Sequence, residues 1–162
     1  EQMRSAAGAA VEAGGVQRAL KAQAGRLASI GAKGRIGEAA TVAFFEGQGY
    51  EALGPLRNAS GQGLDHVFRA ADGSLVVVET KASSLLERPS VSGRAANPQA
   101  WVRDILRDAG AGTGRYARLS PDSRAAFNAL RANGSRPLIF QQSSVYLDNS
   151  LNVRGLIVDR WH

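Results

Sequence analysis

The 162-residue sequence has no cysteine, one methionine and only 6% aromatic residues. Without cysteine it cannot form disulfides or thiolate zinc sites, and a chain of this length can bury enough surface to fold without either. No apolar run approaches the roughly 20 residues that a membrane helix needs, and no charged start followed by an apolar stretch indicates a signal peptide. The sequence therefore predicts a domain held together by packing alone, and we expect no membrane partner.

Lysine is scarce as well, because 17 of the 20 basic residues are arginine and Lys81 is the one lysine beyond position 33. The formal net charge of +6 and pI near 10.5 favour an anionic partner such as nucleic acid or an acidic protein. Nine arginines stand against three aspartates between Arg88 and Arg136, whereas residues 37–87 are acidic. With so few aromatic residues, contact with the phosphate backbone is favoured over base stacking.

The first 34 residues are rich in Ala, Gly and Gln and begin with Glu1. Their large apolar residues are too sparse for a strong packed stripe, and glycines interrupt them. We expect residues 1–34 to form a linker or loosely docked helix within a longer protein, with an integral first helix as the alternative. Residues 35–162 are predicted to form the functional domain.

Hydrophobic periodicity over this domain predicts the order helix, strand, strand, helix, helix, strand, strand. The fold class is α/β or α+β, with a central mixed sheet flanked by helices. LDHVFRA and SLVVVETKAS are predicted to form a hairpin around the loop 71–73, with Gly73 in the left-handed conformation. The run LVVVE indicates a central strand, and Ser120 and Gly134 are predicted to cap and stop the last helix.

The hairpin register sets Val67 opposite Val77 and Asp65 opposite Glu79. Glu79 and Lys81 are two positions apart, so all three charged side chains share one face, and His66 lies on the other. Burying such groups unpaired costs several kcal/mol, so mutual pairing, a metal or substrate must compensate them. A buried ion cluster and a hairpin with solvated charged ends are the structural alternatives.

Two carboxylates on adjacent strands suit Mg²⁺ or Mn²⁺, which prefer oxygen ligands. Such a metal helps to generate hydroxide and neutralises charge in the transition state of phosphodiester hydrolysis. Lys81 would place a compact ammonium beside the metal, where it can polarise the attacking water.

GRIGEAA, QGLDHVF and VVVETKAS together resemble the nuclease superfamily named for its PD-(D/E)xK motif, although Leu64 stands at the motif's Pro. The resemblance implies a restriction-endonuclease-like core. It also implies that Asp65, Glu79 and the backbone carbonyl of Thr80 bind the metal and that Lys81 assists the water. Glu38 matches the first-helix Glu that supports metal or water in many members.

The chain is also similar to toxin domains of this fold at the C-termini of bacterial polymorphic toxins, in which a Gln and a Trp follow, as Gln99 and Trp101 do here. This similarity implies a nuclease toxin delivered into the cytoplasm of a competing bacterium and a dedicated immunity protein, which the charge suggests is acidic. DNA is the predicted substrate. The alternatives are a tRNA-cleaving toxin of the same fold and a non-catalytic nucleic-acid-binding module.

Gln99 begins a predicted helix, where it can hydrogen-bond a phosphate or orient Lys81, or simply lie exposed. Arginines in and near this helix are predicted to grip substrate phosphates independently of sequence. The candidates are Arg94, Arg103, Arg107 and Arg115.

Overall fold

The computed structural model describes residues 31–84 and 97–161. Three α-helices are present there: α1 (Ala32–Gly47), α2 (Pro98–Ala111) and α3 (Arg124–Asn133). The strands are β1 (Glu51–Arg57), β2 (Gly63–Arg69), β3 (Leu75–Ser84), β4 (Ile139–Leu147) and β5 (Val153–Arg160), joined in one sheet in the order β1-β2-β3-β4-β5. Short 3₁₀ turns occupy Gly114–Tyr116 and Pro121–Ser123. The predicted α+β class with a central sheet flanked by helices is confirmed.

The predicted hairpin of β2 and β3 is confirmed in its register and its turn. The two strands pair antiparallel with Val67 opposite Val77. Ala70 N donates to Ser74 O at 2.8 Å, and Gly73 N donates to Ala70 O at 2.9 Å. Gly73 has φ +87°, the left-handed conformation that a three-residue hairpin loop needs at this position.

The sequence-based element order lacked one strand, β1, which pairs antiparallel with β2 at the end of the sheet. Its sequence, EALGPLR, contains Gly54 and Pro55, residues that usually argue against a strand. The sheet tolerates them because β1 is an edge strand, and the β1–β2 register shifts on both sides of Gly54. The observed order is therefore helix, three strands, two helices and two strands.

Contacts divide the chain into two compact units, and the described part of one comprises residues 49–79, 97–141 and 161. In this unit α2 and α3 pack against the sheet face that carries Val67 and Val77. The buried members of this core are Leu56, Leu64, Val67, Leu75, Val77, Val102, Ile105, Tyr116, Ala126, Leu130 and Trp161. Every residue from Leu75 to Thr80 is buried, as expected for a central strand.

The helix caps observed in the same unit agree with the sequence prediction in part. Asn97 caps α2 by accepting a hydrogen bond from Ala100 N at 3.1 Å, and Pro98 occupies the first turn. Ser120 does not cap α3 directly, because the 3₁₀ turn Pro121–Ser123 intervenes. Gly134 ends α3 as predicted.

The described part of the other unit comprises residues 31–48, 80–84 and 142–160. Here α1 packs through Ile36 and Ala40 against Val145, Leu147 and Val153. No helix in the described ranges combines the length and apolar character that a bilayer crossing requires. The 1–34 boundary stays a prediction, since residues 1–30 lie outside the described ranges.

Buried hydroxyl groups tie α1 to two strands of this unit. Thr80 donates its hydroxyl to Thr41 Oγ1 at 2.9 Å, and Thr41 Oγ1 lies 2.8 Å from Ser143 Oγ and 3.0 Å from Gly37 O. Gly37 lies close to the strand, because a Cβ added there would lie 2.8 Å from Ala82 Cβ. The network therefore anchors the part of β3 that directly follows Glu79.

We expect Thr41→Val to lower the free energy of unfolding by about 2 kcal/mol, because the buried hydroxyls of Thr80 and Ser143 would lose a partner. Urea unfolding followed by circular dichroism measures the change. Thr113→Val is the matched control, since Thr113 is exposed and its side chain caps nothing. Equal stabilities of the two variants would contradict the proposed strength of the network.

Candidate active site

Asp65 and Glu79 lie on paired strands of the same unit. The register that joins His66 to Val78 places Asp65 opposite Glu79 when it is continued by one position. The Asp65 side chain is 16% exposed, Glu79 is 9% exposed, and Oε2 of Glu79 is almost completely shielded from solvent. Opposed residues of antiparallel strands have Cβ atoms about 5 Å apart, so two shielded carboxyl groups leave the sheet side by side.

A third charged residue, which was not predicted from the sequence, lies at this point: Arg57 at the end of β1. Its Nη2 donates to Asp65 Oδ1 at 2.8 Å, and the Arg57 side chain is 22% exposed. Arg57 pairs with Gly63 across the strands, so the contact with Asp65 is diagonal. Predicting β1 as a strand would have placed Arg57 beside β2, but Pro55 argued against a strand there.

Lys81 follows Glu79 by two positions on β3 and is partly buried. Side chains two apart on a strand leave it on the same face, so Lys81 continues the row that Glu79 begins. Thr80, between them, is buried and bonded to Thr41 through its side chain. Glu38 is partly buried and follows Gly37, which meets β3 at Thr80 and Ala82. The roles of Glu38, Thr80 and Lys81 in a site stay predictions.

Helix α2 carries Gln99 over the same sheet face as the carboxyl pair. Val102 and Ile105 of α2 pack with Val67 and Val77, which by alternation share the face of Asp65 and Glu79. Gln99 is exposed in the first turn of this helix. Trp101 is partly buried and packs against this core, with its ring in an edge contact with Trp161. That packing gives Trp101 a structural role in this unit.

The predicted phosphate-binding arginines differ in their surroundings. Arg103 and Arg115 are exposed, and Arg94 lies outside the described residues. Arg107 is also exposed, but it forms ion pairs with Asp104 and Asp108, each at 3.0 Å. The hydrogen bonds that Arg107 donates to Asp108 and the charges of both aspartates raise the pKa of Arg107. Arg107 is therefore the weakest candidate of the described three, because its charge is already compensated.

His66 is 5% exposed and stacks on Phe68 with a centroid distance of 5.7 Å. Burial lowers its pKa from 6.5 to about 4, with the nearby Asp65 charge opposing the shift and Arg57 reinforcing it. The folded protein therefore holds His66 neutral at pH 7, as expected for a structural histidine.

Acidification is expected to destabilise the protein through His66. The unfolded chain binds a proton near pH 6.5 and the folded chain only near pH 4, so stability present above pH 6.5 is lost as the pH falls between these values. The expected loss approaches about 3 kcal/mol at pH 4. Urea unfolding in EDTA between pH 7 and 5, where few carboxylates titrate, measures it, and His66→Phe should flatten the slope. An unchanged slope in that variant would contradict this origin.

The described residues contain no group of three or more His, Cys, Asp or Glu side chains that could hold a metal ion. The predicted metal site would rest on the carboxylates of Asp65 and Glu79, supplemented by backbone carbonyl and water oxygens. Mg²⁺ is commonly bound through one or two carboxylates while it keeps several waters, so this pair fits the ion by its chemistry.

No family model matches the chain, and no curated protein matches it. Among solved structures the chain is similar to SfsA from Pyrococcus furiosus, which was solved in complex with Ca²⁺, at 17% identity and a TM-score of 0.30. The match covers 79% of this chain and 62% of that chain, so this chain spans less than two thirds of SfsA. A likeness at this level is too weak to transfer an activity, and the predicted toxin family stays a prediction.

Proposed function

We propose that this chain is a metal-dependent nuclease that hydrolyses phosphodiester bonds. The observation that carries the proposal is the placement of Asp65 opposite Glu79, both shielded, with Lys81 next on the same face of β3. Burying such charges is costly unless they are compensated. Arg57 compensates Asp65 in part, and a bound metal and a phosphate would compensate the row further.

Asp65, Glu79 and the carbonyl of Thr80 would hold Mg²⁺ or Mn²⁺. When bound, the metal would act as a Lewis acid toward water and a phosphate oxygen. Lys81 would orient the attacking water and stabilise charge that develops on the phosphate. Gln99 would hydrogen-bond the same phosphate from α2, and Glu38 would support the site through water.

The exposed arginines Arg103 and Arg115 would bind flanking phosphates, with Arg94 and Arg107 as further candidates. Such contacts are sequence-independent, so they favour a substrate bound through its backbone. Duplex DNA is the proposed substrate and tRNA the close alternative.

The motif resemblance extends the proposal to a toxin that acts in the cytoplasm of a competing bacterium. Its producer would need an immunity protein, and the net charge of +6 favours an acidic one. Coexpression with the product of the neighbouring gene tests this part. That product should bind the chain and restore growth, and failure of both would contradict the immunity proposal.

A nucleic-acid-binding module is the second candidate, and the ion pair of Arg57 with Asp65 favours it, because that pair gives Asp65 a structural role. For such a module, loss of the Lys81 charge should leave toxicity and nucleic-acid binding unchanged.

A gel assay of the purified chain separates these candidates. Plasmid DNA and total tRNA are each incubated with Mg²⁺, with EDTA and with the variant Asp65→Asn. Metal-dependent loss of plasmid that Asp65→Asn reduces at least about 100-fold would support the proposed DNase. Asp159→Asn is the matched control, since Asp159 is exposed on β5. Loss of tRNA alone would indicate a ribonuclease, and no cleavage by folded protein would favour the binding module.

A further inference from the structure

The ion pair of Arg57 and Asp65 is unlike the surface pairs of this chain. Its side chains are 22% and 16% exposed, whereas Arg69 and Glu51, paired at the same 2.8 Å between β1 and β2, are 42% and 60% exposed. Water screens the exposed pair and reaches the shielded pair far less. Water therefore screens the guanidinium of Arg57 from the predicted metal ligand Asp65 less than it screens Arg69 from Glu51.

Both backbone polar groups of Arg57 are hydrogen-bonded, which fixes its position. Arg57 N donates to Ser123 Oγ at 2.8 Å, and Arg57 O accepts from Ser120 N at 2.8 Å. Across the strands Gly63 has φ +146°, and a Cβ there would overlap the carbonyl oxygen of Leu56. This close approach of β1 and β2 is possible only with glycine, and it brings the Arg57 side chain within reach of Asp65.

Loss of a proton from Arg57 does not break this ion pair at neutral pH, because an arginine side chain keeps its charge there. A divalent cation can compete, since it carries twice the charge and prefers carboxylate oxygen. The guanidinium has five donors, and their planar arrangement matches phosphate oxygens.

We propose that Arg57 is a substrate-binding residue of this site that also acts as the resident counter-ion of Asp65, an inference that rests on the proposed nuclease function. Before the metal binds, Arg57 compensates the Asp65 charge and keeps the carboxylate in place. With a metal bound to that carboxylate, Arg57 would donate to the substrate phosphate instead. Arg57 therefore weakens metal binding and strengthens substrate binding.

Isothermal titration calorimetry with Mn²⁺ tests the first half, using the full chain and the variants Arg57→Gln and Arg69→Gln. Arg57→Gln is expected to bind Mn²⁺ about ten-fold more tightly than the wild type, since a positive charge beside the metal is removed. Arg69→Gln should bind Mn²⁺ as the wild type does. Local loss of structure would weaken metal binding, so tighter binding separates the proposal from a structural role.

Steady-state cleavage at saturating Mn²⁺ tests the second half. Arg57→Gln should raise KM for DNA at least about ten-fold, because a charge-assisted phosphate contact is lost. Arg57→Lys keeps the positive charge but loses the planar arrangement of several donors. Its Mn²⁺ affinity should therefore stay within about two-fold of the wild type, and its KM should rise less than that of Arg57→Gln. If Arg57→Gln does not fold, Arg57→Lys alone tests this half of the proposal. Its KM for DNA should rise, and an unchanged KM in that variant would overturn the proposal.

The outcomes keep the two proposals apart. A wild type that cleaves DNA, with Mn²⁺ affinity and KM unchanged in Arg57→Gln, would overturn the role of Arg57 and leave the nuclease intact. A wild type that neither binds Mn²⁺ nor cleaves nucleic acid would overturn the nuclease itself, and the inference with it.

Discussion

Lys81→Met is expected to lower the rate of phosphodiester cleavage about a thousand-fold while the chain stays folded. The effect is large because a positioned proton-transfer or charge-stabilising group contributes about 10² to 10⁴ to a rate. Methionine matches much of the length of the lysine stem, so the packing of this partly buried side chain should change little. Cleavage of labelled plasmid at saturating Mg²⁺ measures the rate, and near-ultraviolet circular dichroism checks the fold.

The matched control is Lys33→Met, which removes the other lysine of the described residues. Lys33 is exposed on α1, so its replacement should leave the rate within about two-fold. A folded Lys81→Met protein that cleaves within ten-fold of the wild type would show that the ammonium has no part in the reaction. Asp65 and Glu79 would then fit a structural ion cluster better than an active site.

The hairpin shows what local rules could predict. Gly73 after Ala71 and Asp72 determines a three-residue loop, and that loop determines the register of β2 and β3. Because the side-chain period of a strand is two, this register was enough to place Asp65 beside Glu79 and His66 on the other face. The central position of β3 followed from its uninterrupted apolar run, which local sequence also displays.

Strand β1 and Arg57 could not be predicted in the same way. Gly54 and Pro55 are weak strand formers, and β1 is a strand because it pairs with β2 and because the Ser120–Ser123 turn bonds to Arg57. The pairing with β2 is local, but the contacts of Arg57 with Ser120 and Ser123 join residues 63 and 66 positions apart in the chain. A single sequence carries no local signal for them, so the ion pair of Arg57 with Asp65 could be identified only in the folded chain.

For the arginines too, local sequence predicts one property and tertiary contacts decide another. Counting charges between Arg88 and Arg136 predicted a basic face, but local pairing decides which charges are available. Arg107 is compensated by Asp104 and Asp108, whereas Arg103 and Arg115 are exposed. Arg57, outside the counted stretch, lies nearest to a predicted metal ligand. The proposed phosphate binding would therefore depend on where each arginine lies more than on the net charge of a segment.

Glu79→Gln is expected to weaken Mn²⁺ binding about 100-fold and to reduce cleavage about a thousand-fold, because it replaces a carboxylate ligand by a neutral amide of the same shape. Without metal the variant should be at least as stable as the wild type. Glu79 is 9% exposed, and removing a buried charge relieves a desolvation cost.

The difference between the two proteins should therefore appear when metal is added. At 100 times the dissociation constant, Mn²⁺ should stabilise the wild type by about 2.7 kcal/mol and raise Tm by several degrees, whereas Glu79→Gln should gain almost nothing at the same concentration. Thermal unfolding with Mn²⁺ and with EDTA measures both values. Glu46→Gln, exposed at the end of α1, should respond as the wild type does. An equal metal-induced shift in Glu79→Gln would remove Glu79 from the metal site, and with it the paired carboxylates on which the nuclease proposal rests.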